Sequence, residues 1–108
     1  MNKYAAVITN IKKIASDLFK EKKGEVYLYG SQARMDATPY SDWDLLILTE
    51  EILDKEEIFN KYGFPFCEIG WYLEEDINPL VFTKKEWEAQ KQSFFYFTVM
   101  NDAIKLYS

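Results

Sequence analysis

Residues 26–48 read VYLYGSQARMDATPYSDWDLLIL, and this stretch organises the rest of the chain. It contains two short apolar runs, at 26–29 and at 45–48, with a polar segment between them. Short apolar runs that end at turn residues are typical of buried strands. We therefore expect two strands, at about 25–29 and 43–49, joined by a polar loop.

Two carboxylates stand at the entry to the second strand. Asp42 and Asp44 are two positions apart, so in an extended segment their side chains lie on the same face. Neighbouring carboxylates repel each other unless a cation lies between them, and oxygen ligands of this kind suit Mg²⁺ together with substrate phosphates. Gly30 and Ser31, at the end of the first strand, can offer backbone N–H groups and a hydroxyl to a phosphate. The pattern predicts a phosphate site beside a metal site, as phosphoryl or nucleotidyl transfer requires.

The glycine–serine turn and the aspartate pair form a two-part pattern with a strand before and after it. The two parts are Gly30-Ser31-x-Ala33-Arg34 and Ser41-Asp42-x-Asp44-Leu45. This pattern resembles the signature of the minimal nucleotidyltransferase domains of the polymerase-β superfamily. The resemblance continues more loosely through 77–87, 94–96 and 104–107. It implies an α/β (α+β) nucleotidyltransferase fold, in which helices flank a small mixed β-sheet.

The resemblance also implies a role for each residue of the pattern. Asp42 and Asp44 would hold two Mg²⁺ ions, one lowering the pKa of the acceptor hydroxyl and the other stabilising the leaving pyrophosphate. Gly30 would let the backbone approach the triphosphate, and Ser31 would hydrogen-bond it. Arg34 would pair with a phosphate oxygen.

The chain departs from the family pattern in two places. The family usually has glycine where this chain has Met35. Because Met35 and the three residues before it are good helix formers, we expect it to keep an ordinary helical conformation. A third catalytic and metal-binding carboxylate is expected on the strand after the aspartate pair, and Asp76 is the first choice for it. Glu68 and Glu75 are the alternatives, although both are more typical of a helix surface.

The other elements follow from apolar periodicity and from turn and capping residues. They are a helix over 2–22, a charged and partly helical connection over 50–62, a helix over about 65–75, a strand over about 77–83, a helix from there to about 92, an aromatic core segment over 94–100 and a short strand over 103–107. Pro79 places the third strand at an edge or a bulge. Thr83 is the expected N-cap of the next helix, with Glu86 completing a capping box.

Composition limits the class of protein. The 108 residues are enough for one domain, residues 1–108, and the 48% hydrophobic content is typical of a packed globular chain. A net charge of −5 gives no basic excess for nonspecific binding to nucleic acid. The chain has no histidine, which excludes His-dependent catalytic triads and His-ligated zinc sites.

The sequence also indicates a compartment. A single cysteine, Cys67, excludes an intrachain disulfide and suggests a reducing environment. Neither a secretory signal nor an apolar stretch of membrane-spanning length is visible. We therefore expect a cytoplasmic protein that does not enter a membrane.

Two functions remain open from the sequence. The first is a Mg²⁺-dependent nucleotidyltransferase that moves a nucleoside monophosphate from a nucleoside triphosphate to a hydroxyl acceptor, on a protein or an RNA. The second is a binding protein, because small members of the resembled family often act as antitoxins paired with a helical toxin. In that case a degenerate site would survive as a scaffold for binding a small helical partner.

Overall fold

A computed structural model describes residues 2–108 of the protein. Six helices and four strands lie within this range. In chain order they are α1 (Lys3–Leu18), β1 (Gly24–Tyr29), α2 (Ser31–Arg34), β2 (Trp43–Thr49), α3 (Lys55–Tyr62), α4 (Phe64–Tyr72), β3 (Ile77–Thr83), α5 (Lys84–Ala89), α6 (Phe94–Asp102) and β4 (Ile104–Tyr107). None of the helices among these residues is long and apolar enough to cross a membrane.

The four strands form one mixed sheet in the order β3-β2-β1-β4. Strand β1 runs antiparallel to both β2 and β4, whereas β2 and β3 are parallel. Helices lie on both faces of the sheet, which confirms the expected fold class. Strand β3 lies at one edge, as Pro79 predicted, because proline cannot donate a hydrogen bond to a further strand.

Strand β2 carries apolar side chains on both faces. Leu45 and Ile47 contribute to a core shared with α1, α3 and α4, whereas Leu46 and Leu48 contribute to a second core shared with α5 and α6. Burial on both faces explains why this strand is a continuous apolar run in the sequence. Since side chains alternate along a strand, Asp44 points to the same side of the sheet as Leu46 and Leu48.

The predicted strands agree closely with the structure, but several helix ends differ. Helix α1 ends at Leu18 instead of continuing to residue 22. The next residue, Phe19, is buried, and its ring stacks on that of Tyr62 with 5.3 Å between centroids. The gain from burying this ring favours ending the helix there. The helix predicted over 65–75 is observed at Phe64–Tyr72.

The third strand leads directly into the predicted capping box. Thr83 Oγ1 accepts a hydrogen bond of 3.0 Å from the Glu86 N–H, and Glu86 Oε1 accepts one of 2.9 Å from the Thr83 N–H. These bonds satisfy backbone donors at the start of α5. The helix itself ends at Ala89, earlier than predicted.

The prediction that residues 94–100 pack as aromatic core is wrong for most of the segment. These residues form α6, in which Phe94 is 82% and Phe97 is 64% exposed. The inward positions belong instead to Tyr96, Val99 and Met100, which contact the second core. Their spacing of three and four residues is that of one helix face, and Phe94 and Phe97 lie off that face and point to solvent.

Candidate active site

The site lies where β1 ends and where β2 and β3 begin. Asp44 at the start of β2 pairs with Tyr29 at the end of antiparallel β1. On its other side, Asp44 pairs with Asn78 at the start of parallel β3. Three neighbouring strands therefore deliver side chains to the same end of the sheet.

Gly30 occupies the turn directly after β1, and its conformation requires glycine. Its φ of 78° and ψ of −160° fall in a region that only glycine adopts readily. A Cβ added there would lie 2.6 Å from Asp44 Oδ2, too close for a real contact. The structure thus brings the predicted glycine–serine turn directly against Asp44, one member of the predicted carboxylate pair.

The two aspartates differ in environment. Asp42 is exposed, whereas Asp44 is half-buried. Burial raises the pKa of Asp44, and the negative charge of Asp42 raises it further. Nearby groups, the amide of Asn78 and the charge of Arg34, offset part of this rise. The pair therefore concentrates negative charge that protein cations only partly balance.

Tyr29 borders the same carboxylate from the neighbouring strand. Burial and the charge of Asp44 together raise the pKa of Tyr29 to about 12. The phenol therefore stays protonated at neutral pH. It packs against the second core beside the site.

Asn78 is the functional candidate that sequence reasoning missed. Its side-chain Nδ2 donates a hydrogen bond of 3.0 Å to Asp42 Oδ2. It also pairs with Asp44 in the parallel register of β2 and β3. The available signal was its position, since it is the first residue of β3 whose side chain points to the same side as Leu80 and Phe82.

The three candidates for the third carboxylate are Asp76, Glu75 and Glu68, and the structure gives each of them a different environment. Within residues 2–108, no three side chains among histidine, cysteine, aspartate and glutamate lie close enough to hold one metal ion. Asp76 precedes β3, and its backbone carbonyl accepts a 2.8 Å hydrogen bond from the Trp43 N–H. Glu75 Oε1 accepts a 2.9 Å bond from Trp43 Nε1, and Glu68 is exposed on α4. The structure therefore does not bring Asp76, or either alternative, into a group of three with the aspartate pair.

The expectation of a helical Met35 is wrong. Its φ of 64° and ψ of 27° are left-handed, and its N–H donates to the Ser31 carbonyl as the C-cap of α2. The Asp36 N–H donates to the same carbonyl at 3.1 Å. A left-handed residue commonly ends a helix in this way, because it satisfies the last carbonyls. The glycine usual in the family is the residue that such a position favours.

Arg34 is held by two carboxylates. Its Nε lies 3.0 Å from Asp36 Oδ2 and its Nη1 lies 2.7 Å from Asp102 Oδ2. The hydrogen bonds that Arg34 donates to Asp36 and then to Asp102 raise the pKa of Arg34. Asp102 belongs to α6 and is distant in sequence, so no local pattern indicated this contact. Pairing of Arg34 with a phosphate stays a prediction, and these contacts through Nε and Nη1 do not use all five N–H donors of the guanidinium.

Comparison with known proteins identifies the family of the chain. A profile of the nucleotidyltransferase domain family matches residues 8–105, most of the chain. The chain belongs to this nucleotidyltransferase domain family. No curated protein matches it by sequence.

Several solved structures resemble this nucleotidyltransferase domain. A toxin–antitoxin complex with AMP-PNP is 16% identical over 94% of this chain and 73% of the other, with a TM-score of 0.63. A tri-AMPylated HEPN toxin in complex with MNT antitoxin, from Shewanella oneidensis, is 16% identical over 97% and 72%, with a TM-score of 0.58. A nucleotidyltransferase from Sulfolobus solfataricus is 17% identical over 97% and 86%, with a TM-score of 0.51. At such identities the likeness is one of fold.

Proposed function

We propose that this nucleotidyltransferase domain transfers a nucleoside monophosphate from a nucleoside triphosphate to a hydroxyl group of a partner macromolecule. The observation that carries the proposal is the close approach of the Gly30 turn to Asp44. Asp44 Oδ2 fills the space where any side chain at Gly30 would be, and Asp42 stands two residues before it in the chain. Binding of a metal-bridged triphosphate needs these two features side by side.

The donor set at the site fits Mg²⁺. Asp42 and Asp44 supply carboxylate oxygens, and Asn78 can supply the amide oxygen Oδ1. Mg²⁺ prefers hard oxygen ligands and usually completes its shell with water and phosphate oxygens. When bound, Mg²⁺ would activate the acceptor hydroxyl and stabilise the negative charge on the leaving pyrophosphate.

The chain itself binds and orients the triphosphate in this proposal. Gly30 admits the phosphates to the backbone, and the Ser31 hydroxyl donates to a phosphate oxygen. Arg34, oriented by Asp36 and Asp102, donates from its remaining guanidinium N–H groups to a phosphate oxygen. The acceptor oxygen then forms a bond to the α-phosphorus, pyrophosphate departs with the electrons of the broken bond, and the hydroxyl proton passes to solvent.

The proposed acceptor is a small helical protein. One similar structure holds AMP-PNP, and another pairs an MNT antitoxin with a tri-AMPylated HEPN toxin. These neighbours support ATP as the donor to test and a toxin-like partner as the acceptor. Use of a nucleoside triphosphate also supports a cytoplasmic location, which we include in the proposal.

A second candidate function is binding of the helical partner without transfer. The observation that favours it is the amount of exposed aromatic surface on the helices. Phe94 and Phe97 on α6, and Trp71 and Tyr72 on α4, are each more than half exposed. Large exposed apolar side chains are typical of protein interfaces.

One labelling experiment separates the two candidates. The protein is incubated with α-labelled ATP and Mg²⁺, alone and with the product of the neighbouring reading frame, which we expect to be a small helical protein. We expect label on the partner with the wild type and none with Asp42→Asn/Asp44→Asn. The control Glu21→Gln/Glu56→Gln likewise removes two carboxylates, both of them exposed, one before β1 and one on α3, and should label like the wild type. Partner binding without any label would reject the transferase and support the second candidate.

A further inference from the structure

The position beside the aspartate pair on β3 carries an amide instead of a carboxylate. Asn78 pairs with Asp44 across the two parallel strands, and its side chain reaches Asp42. A carboxylate at this position would complete a group of three acids. In the described part of the chain no such group exists. The site therefore has two negative charges where a three-acid site has three.

The amide also changes how the pair is held before any ligand arrives. Asn78 Nδ2 donates to Asp42 Oδ2 at 3.0 Å, so a neutral donor stabilises the ionised pair without adding charge. A carboxylate has several acceptor positions, so Asp42 keeps lone pairs for a cation. The hydrogen bond thus preorganises the pair, but it adds no electrostatic attraction for a divalent ion.

Charge at the site determines how strongly a hard cation binds alone. The affinity of oxygen sites for divalent ions is tuned by the number of charged ligands and by rigidity. Mg²⁺ loses its water reluctantly and is commonly held by one or two carboxylates together with substrate phosphates. A triphosphate would supply the negative charge that Asn78 lacks.

We propose that Asn78 makes metal binding depend on nucleotide, so that the divalent cation is held tightly only as its complex with a nucleoside triphosphate. This inference rests on the proposed function and adds a role for one residue of this chain. In the free site, Asn78 positions Asp42 through its hydrogen bond. Because the amide is neutral, Asn78 also limits the negative charge of the site to that of the two aspartates. Free protein would hold little metal at cation concentrations that saturate the nucleotide complex.

Calorimetric titration tests this, with Mn²⁺ alone and with the preformed complex of Mn²⁺ and a non-hydrolysable ATP analogue as the two titrants. We expect wild-type protein to bind Mn²⁺ alone at least tenfold more weakly than it binds the preformed complex. Asn78→Asp should bind Mn²⁺ alone at least tenfold more tightly than the wild type. Asn60→Asp adds the same charge on exposed α3 and should behave like the wild type. Thermal unfolding gives a second readout, in which Mn²⁺ alone stabilises Asn78→Asp and not the wild type.

Two outcomes would overturn the role of Asn78 alone, and a third would also reject the proposed function. Equal affinity of wild type and Asn78→Asp for Mn²⁺ alone would overturn the role of Asn78, even if label transfer succeeds. The role of Asn78 would also be overturned if adding Asp42→Asn/Asp44→Asn to Asn78→Asp left Mn²⁺ binding unchanged. The Mn²⁺ would then be bound away from the aspartate pair. Failure of wild type to bind the Mn²⁺–analogue complex would reject this inference and the proposed function together.

Discussion

Replacing Gly30 by alanine tests the contact on which the site depends. The substitution adds one methyl group at a backbone conformation of φ 78° and ψ −160°. A non-glycine residue in this region costs about 1–3 kcal/mol. The new Cβ also meets Asp44 Oδ2 at 2.6 Å, so the carboxylate or the turn must move. Displacing packed side chains costs about 1–3 kcal/mol more.

A smaller effect on the unfolded chain offsets part of this loss of stability. Alanine restricts the unfolded chain more than glycine does, which favours folding by about 0.4–1 kcal/mol. The net loss in the free energy of unfolding is therefore about 3 kcal/mol. With a urea m-value of about 1.5 kcal/mol/M, the unfolding midpoint should fall by about 2 M. Nucleotide binding should weaken as well, because the turn that approaches the phosphates is displaced.

A double-mutant cycle with Asp44→Ala separates backbone strain from the clash. In the Asp44→Ala background, Gly30→Ala should cost about 1–2 kcal/mol less, since the carboxylate is absent and only strain remains. Urea unfolding of the four proteins measures the difference. The reasoning is refuted if Gly30→Ala costs less than about 1 kcal/mol, or if its cost is the same in both backgrounds.

Three further predictions concern pH, the loop and a helix cap. Because the pKa of Asp44 is raised in the folded protein, its contribution to stability is fully present below its unfolded pKa of about 3.9 and is lost as the pH rises through the folded value. Asp44→Asn should therefore raise the free energy of unfolding at neutral pH and lose this advantage on acidification; a difference that does not vary with pH would contradict this. Met35→Gly should stabilise the protein by about 0.5–1 kcal/mol and tighten nucleotide binding, because glycine adopts the left-handed conformation without strain. The control Met35→Ala keeps a Cβ and should leave the unfolding midpoint nearly unchanged. Thr83→Ala should cost about 1 kcal/mol through loss of the capping box, while Thr83→Ser should restore most of that loss in the same unfolding assay.

The sequence was most informative where local chemistry decides the structure. Strand β2 was predicted from its apolar run with both boundaries correct, since burial on both faces leaves that pattern. The capping box was predicted because both partners lie within four residues of each other. The glycine–serine turn and the aspartate pair were predicted to lie together, and the strand pairing explains why they do.

What the sequence could not provide depends on distant contacts. The left-handed Met35 follows from where α2 must end, and good helix formers gave no sign of that end. Asp102 reaches Arg34 from α6, a contact that no spacing rule predicts. Exposure of Phe94 and Phe97 follows from which face of α6 meets the sheet. The place of Asn78 beside Asp44 could not be predicted, because it depends on the register between β2 and β3.

The register between β2 and β3 makes the apolar core a determinant of the site's chemistry. Side chains along β3 alternate between the two faces, with Leu80 and Phe82 on the side of the second core and Val81 on the side of the first. A slip of one residue would reverse every side chain of the strand and expose its apolar positions. That penalty keeps Asn78 beside the aspartates. Packing several residues away thus fixes which chemical group stands at the site, and substitutions at those core positions can alter reactivity without contacting any ligand.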